Sequence, residues 1–191
     1  VLAELRQRKL VWGAAGLPVD FRKDEARFQG DMAGLREMAP ALQRAGVTRV
    51  GTWLSPSHDE LTFEENLGQH ATRLREVAKV LADHAIRFGL EYVGPKTSWS
   101  AKRHPFVHTM AQAKQLIAAI GEKNVGLVLD SWHWYTAHET AADLNTLTND
   151  DIVAVDLNDA PAGIGVDAQI DSRRELPMAT GVIDVATFLN A

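Results

Sequence analysis

The segment Gly126-Leu-Val-Leu-Asp-Ser-Trp-His-Trp-Tyr135 decides how the rest of this chain is read. Together with Val125 its first half is an unbroken apolar run of strand length. It ends by delivering Asp130 and His133, three residues apart, among Trp132, Trp134 and Tyr135. A strand that is apolar at every position is buried on both faces, as in a parallel sheet covered by helices. In such sheets sites are built at the carboxyl ends of the strands. A carboxylate and an imidazole leaving an apolar strand together cost desolvation free energy unless something uses them. A structural reading competes: Asp130 caps the turn that follows, and His133 fills a gap beside the tryptophans.

Outward from this segment the alternation of strand and helix repeats. Upstream, Leu10-Val-Trp-Gly-Ala-Ala15 is a short apolar run ended by Gly16 and Pro18. The spacing of Phe28, Met32, Leu35, Ala39 and Leu42 predicts a helix from about Asp24 to Ala45, with Gly46 where a left-handed C-cap belongs. Arg49 to Leu54 reads as the next strand. Thr62-Phe-Glu-Glu65 has the capping-box pattern and opens a helix whose apolar face runs through Phe63, Leu67, Ala71, Leu74, Val77 and Leu81. Phe88 to Val93 is the third strand, followed by a polar loop to His108 and a helix from Met110 to Ile120. Beyond the central segment come a helix over Glu139 to Leu147, a strand over Ile152 to Leu157, a long loop, Gly181-Val-Ile-Asp184 and a terminal helix.

Neither Gly-x-Gly-x-x-Gly nor a Walker loop follows any strand, which weighs against a nucleotide-binding doubly wound sheet. A (β/α)8 barrel usually takes about 250 residues. Five strands and a short sixth segment in 191 residues, with both ends stopping inside helical patterns, predict a (β/α)8 TIM barrel lacking its first and last strand units. Residues 1–191 then form a single, partial barrel domain.

Composition narrows the function. The chain is 46% hydrophobic and 24% charged, an ordinary globular balance, with a formal charge of −5. That charge, and lysines and arginines scattered without aromatic interleaving, argue against nucleic acid as a partner. Cys is absent, so there is no thiolate ligand or nucleophile, and a reducing cytoplasm is the expected compartment. No apolar run approaches a membrane span.

The strand ends carry the chemistry. Gly89-Leu-Glu-Tyr-Val-Gly-Pro95 places Glu91 among apolar neighbours, where a carboxyl needs a cation, with Lys96 or Arg103 as protein alternatives. The next strand supplies Asp130 and His133, and the last supplies Asp156, followed by Asn158 and Asp159. Each acid alone reads as a cap or a salt bridge. Three at successive strand ends read as a site, because their mutual repulsion calls for a cation between them. Oxygen donors of this kind suit Mn²⁺ or Mg²⁺, and an imidazole extends the choice to Co²⁺ and Zn²⁺.

Gly-Leu-Glu-Tyr-Val-Gly-Pro, Leu-Asp-Ser-Trp-His-Trp-Tyr and Val-Asp-Leu-Asn-Asp-Ala-Pro, in this order, resemble the xylose isomerase-like TIM-barrel superfamily, its sugar phosphate isomerase/epimerase branch above all. The resemblance implies that Glu91 binds a metal and moves a proton, that Asp130 is a ligand, and that His133 contacts substrate or metal. Asp156 stands where the family usually has a histidine ligand, which favours Mn²⁺, Mg²⁺ or Co²⁺ over Zn²⁺. The fourth ligand of the family, a glutamate, falls beyond Ala191 in this alignment. Asp171-Ser-Arg-Arg-Glu-Leu-Pro177 resembles the stretch that brings a basic side chain to the substrate, and Arg173 is the residue chosen for it. Trp53, Lys96, His108 and Asn158 complete the expected substrate-binding set, with His104 beside His108 also within reach and the tryptophans of the central segment as pocket walls.

The activity so implied is isomerisation or epimerisation of a sugar or sugar phosphate by proton transfer through a metal-stabilised enediolate. An inosose-type dehydratase using the same site, and a non-catalytic remnant, stay open beside it. The superfamily's abasic-site endonucleases need a histidine-rich zinc cluster and a basic face, which this sequence lacks. The partner is then a small carbohydrate, and open strand edges leave room for a homo-oligomer.

Overall fold

Five parallel strands pair in chain order: β1 (Ala15–Gly16), β2 (Arg49–Trp53), β3 (Arg87–Glu91), β4 (Val125–Asp130) and β5 (Ile152–Asp156). The computed structural model describes residues 2–191. Three long helices connect them: α1 (Glu25–Arg44), α2 (Phe63–Ala82) and α3 (Met110–Ile120). The one-turn-plus helix α4 (Ser131–Thr136) follows β4 directly, and α5 (Val185–Asn190) ends the chain. The sheet curls, so that Val128 of β4 reaches across the inner face to Gly51 of β2, where a Cβ would lie 3.3 Å from its Cγ2. This is part of a (β/α) barrel wall, with helices outside and a bore within.

Local signals build this wall as their chemistry predicts. Asp24 accepts from the Arg27 N–H and opens α1 one residue later than its periodicity suggests. Phe28, Met32, Leu35 and Ala39 are its buried face. Gly46, at φ +80°, closes the helix, with Val47 N–H on the Leu42 carbonyl and Gly46 N–H on that of Gln43. Thr62 and Glu65 form the capping box of α2 reciprocally. All six residues of β4 are buried, which is why the segment lacks any polar alternation.

Four expectations change. The first strand is only Ala15–Gly16, and Leu10 and Val11 are 55% and 91% exposed, because β1 is an edge with one neighbour. The loop after β3 has structure of its own: a helical turn at Lys96–Trp99, then His104–Pro105 paired antiparallel with Ser57–His58. The helix expected over residues 139–147 shrinks to Ala141–Leu144, since the Glu139 side chain is engaged by the Tyr92 hydroxyl and the Met110 N–H. The tryptophans of the central segment are core, not pocket walls: Trp132 is fully buried and Trp134 packs on Phe188 at 5.5 Å. Among the described residues no helix is long and apolar enough to cross a membrane.

Candidate metal centre

Glu91 ends β3, Asp130 ends β4, and His133 lies on the first turn after it. One ligand atom from each falls within 4.8 Å of the others. The capping reading of Asp130 holds, and its second oxygen stays free of the cap. Its Oδ1 accepts the Trp132 N–H at 2.8 Å and caps α4, while its Oδ2 faces the centre. Asn158 holds the carboxylate from the side, its Nδ2 3.0 and 3.1 Å from the two oxygens. Asn158 thus positions Asp130 rather than facing the cavity. Its own backbone is pinned by the Ser131 hydroxyl, which accepts from the Asn158 N–H and donates to its carbonyl, both at 2.8 Å.

His133 is 2% exposed, and burial pushes its imidazole down to about 4, so the ring is neutral at physiological pH. The neutral ring accepts from one of two donors, the Gly94 N–H 3.1 Å from Nδ1 or Arg174 Nη2 3.1 Å from Nε2. Nε2 points to Glu91 Oε1 at 3.6 Å and Asp171 Oδ1 at 3.9 Å. Only glycine fits at position 94: a Cβ there would collide with the His133 carbonyl oxygen and lie 2.8 Å from Thr136 Oγ1.

The basic residue at this centre is Arg174, not Arg173. Arg174 Nη1 bonds Asp130 Oδ2 at 2.6 Å, and its Nη2 lies 2.8 Å from Asp171 Oδ1 and 3.1 Å from His133 Nε2. Arg173 is exposed. The one-residue difference follows from a turn: Arg173 N–H closes on the Ile170 carbonyl, and the Asp171 carbonyl accepts Arg174 Nε at 3.0 Å, turning the second guanidinium inward. The loop that carries Arg174 is anchored by Asp159. Its carboxylate accepts the N–H groups of Ala160, Thr180, Gly181 and Ile183, which hold it well below the usual carboxylate range against the opposing effect of burial. A backbone bridge between Asp159 and Glu175 then lays residue 174 over the centre.

Not every expected residue converges. Asp156 is in register with Asp130 but ends the edge strand β5, is exposed, and is outside the 4.8 Å group; burial and then Asp130 raise its carboxyl. Lys96 instead pairs with Asp167 at 2.9 Å. His108 stacks on Trp99 at 4.9 Å and bonds the Phe106 carbonyl, and His104 is in the short antiparallel pair. Trp53 does reach the site: half exposed at the end of β2, it lines a cavity of about 300 Å³ with Glu91, His133, Asp171 and Arg174.

The donors fit a divalent ion. Burial, and then the Asp130 carboxylate, push the Glu91 carboxyl up to about 8. A cation between the two acids offsets both causes. Two carboxylates and an imidazole form a mixed oxygen and nitrogen set open to Mn²⁺, Co²⁺, Mg²⁺ or Zn²⁺. His133 is the weakest of the three as a ligand, because ligating imidazoles donate their second N–H whereas its Nδ1 faces the Gly94 N–H, itself a donor.

A family model described as xylose isomerase-like TIM barrel matches residues 4–191. The chain belongs to this family. A xylose isomerase domain protein of Alicyclobacillus acidocaldarius superposes on this xylose isomerase-like barrel with a TM-score of 0.90 at 37% identity, over 98% of the chain and 66% of that protein. The IOLI protein, crystallised with a zinc atom, shares the fold at a TM-score of 0.80 and 23% identity, covering 99% and 66%. The inosose isomerase of Halalkalibacterium halodurans is 27% identical over 153 residues, which are 76% of this chain and 50% of that enzyme. The chain thus spans about half the length of that relative.

Proposed function

We propose that this barrel is a divalent-metal-dependent isomerase or epimerase acting on a sugar or an inosose, with Glu91 as the proton-transferring group. The observation that carries the reading is the Glu91 carboxyl itself. It stands 20% exposed at a strand end, with a ligand atom within 4.8 Å of those of Asp130 and His133, where it can meet a cation and still face the reaction cavity. The likeness to an inosose isomerase supports a cyclic or open-chain polyol ketone as substrate.

Glu91 and Asp130 would hold the cation, joined by His133 if its ring proton is on Nδ1. When bound, the cation supplies electrophilic polarisation of a carbonyl and its neighbouring hydroxyl. The chain's own residues do the rest. Glu91 takes the proton from the carbon next to the carbonyl and returns one to the product. In its Nε2–H tautomer His133 donates to a substrate oxygen, and Arg174, stiffened by Asp171, orients a second oxygen by its planar fork. Trp53 offers an apolar face to the sugar carbons and keeps water from that side.

The test is deuterium exchange. Ketohexoses and inososes incubated in D₂O with Mn²⁺ should gain deuterium next to the carbonyl, followed by proton NMR. Glu91→Gln should slow this by about 10²–10⁴-fold, the usual weight of a general base. Loss of water from an inosose without epimerisation would move the assignment to a dehydratase. The absence of exchange in every ketohexose and inosose would overturn it.

A further inference from the structure

Beyond the reaction centre, the rim has a second polar cavity. It is about 390 Å³ in volume and is walled by Asp20, Arg22, Arg27, Asp31, Thr52 and Trp53 at the carboxyl ends of β1 and β2. It adjoins the reaction cavity, with Trp53 in the wall of both. The Trp53 ring is held in place by the Arg22 guanidinium, 4.2 Å from its centroid and the same distance from Phe21.

The charges of this second cavity balance. Arg27 Nε is 3.0 Å from Asp31 Oδ2, and Arg22 Nη1 is 3.9 Å from Asp20 Oδ1. An anionic group would have to compete with both carboxylates for the same guanidiniums. Neutral hydroxyls can instead accept from the arginines and donate to the aspartates at once, without separating either pair. We propose that this cavity is a subsite for a second, uncharged glycosyl unit. The substrate is then a keto-sugar glycoside whose reacting end lies at Glu91 and whose distal sugar lies among Arg22, Arg27 and Asp31. The inference rests on the proposed function for the reacting end only.

Three ketoses with the same reacting end and different groups at C6 test it: D-fructose, isomaltulose and fructose 6-phosphate. Their binding is measured by calorimetry in EDTA, so that it does not depend on metal or turnover. Isomaltulose should bind at least about tenfold more tightly than fructose. Asp31→Ala should remove that gain without changing fructose binding. Arg27→Ala, at an exposed side chain, should do the same and guards against a folding defect at Asp31. Tighter binding of fructose 6-phosphate, equal binding of all three, or no isomaltulose binding would each overturn the subsite. Mn²⁺-dependent deuterium exchange into fructose with no isomaltulose preference would sink the subsite and leave the reaction standing. An isomaltulose preference lost in both variants, without exchange in any compound, would do the reverse.

Discussion

Replacing Glu91 by glutamine should stabilise the metal-free protein, increasingly so as the pH rises. Burial and the Asp130 carboxylate raise the folded-state carboxyl from its ordinary 4.5 to about 8. The folded state therefore holds this proton more tightly than the unfolded chain does. The stability it contributes is complete below the unfolded value and is lost as the pH climbs from about 4.5 through about 8. At about 1.36 kcal/mol per unit the loss is bounded by roughly 4–5 kcal/mol. The side chain is 20% exposed, so water relieves part of the penalty, and about 2–3 kcal/mol is the expected size. Urea unfolding of both proteins in EDTA at pH 5.5 and 8.5 measures it. Because part of the loss falls below pH 5.5, the stability difference should widen by about 1.5–2 kcal/mol in favour of the glutamine variant at the higher pH. Other titrations, such as His133 held down by burial and Glu139 raised to about 7 by burial, occur in both proteins and cancel to first order. A difference that stays constant with pH, or widens in favour of the native chain, would refute the reasoning.

Arg174→Ala strips the buried Asp130 of its charged partner and should cost about 2–4 kcal/mol in urea unfolding. Arg173→Ala, at an exposed side chain, should stay within about 0.5 kcal/mol; equal effects would put the wrong arginine at the centre. Gly94→Ala should destabilise by more than about 2 kcal/mol, because its methyl meets the His133 carbonyl and Thr136 Oγ1, and a variant with native thermal stability would show that β3 and α4 are not packed this closely. Asp159→Asn should cost about 2–3 kcal/mol at pH 7, since four N–H groups lose a charged acceptor. Because Asp159 is held below the usual carboxylate range, its contribution is present above that range and fades as the pH falls, so acid unfolding should begin at higher pH in the variant if its carboxylate matters as described.

The barrel wall was legible because its signals are local and repetitive: fully apolar strands, caps at Asp24 and Thr62, and Gly46 after α1. Glu91, Asp130 and His133 were legible because polar groups at the ends of apolar strands have few structural explanations. Arg174 was missed by one residue, since neighbouring arginines are equivalent in sequence and only the turn at Ile170–Arg174 separates them. The spacing of Asp171 and Arg174, three apart, was the signal that could have chosen between them. Lys96 and His108 were expected near Glu91 because they follow it closely in the chain. The helical turn at Lys96–Trp99 and the strand pair at residues 57–58 and 104–105, each too short for any periodicity, carry them away. Gly94 and Arg22 act through backbone geometry and a cation–aromatic contact, which no spacing rule announces.

The most direct test of the centre is calorimetric titration of the protein with Mn²⁺ at pH 7 in buffers of different ionisation enthalpy. A carboxyl raised to about 8 is largely protonated there and must lose its proton to become a ligand. Mn²⁺ should therefore bind with release of nearly one proton, and Glu91→Gln should abolish both that release and most of the affinity. Binding without proton release, or binding unchanged by Glu91→Gln, would contradict the assignment of Glu91 as metal ligand and proton-transferring group.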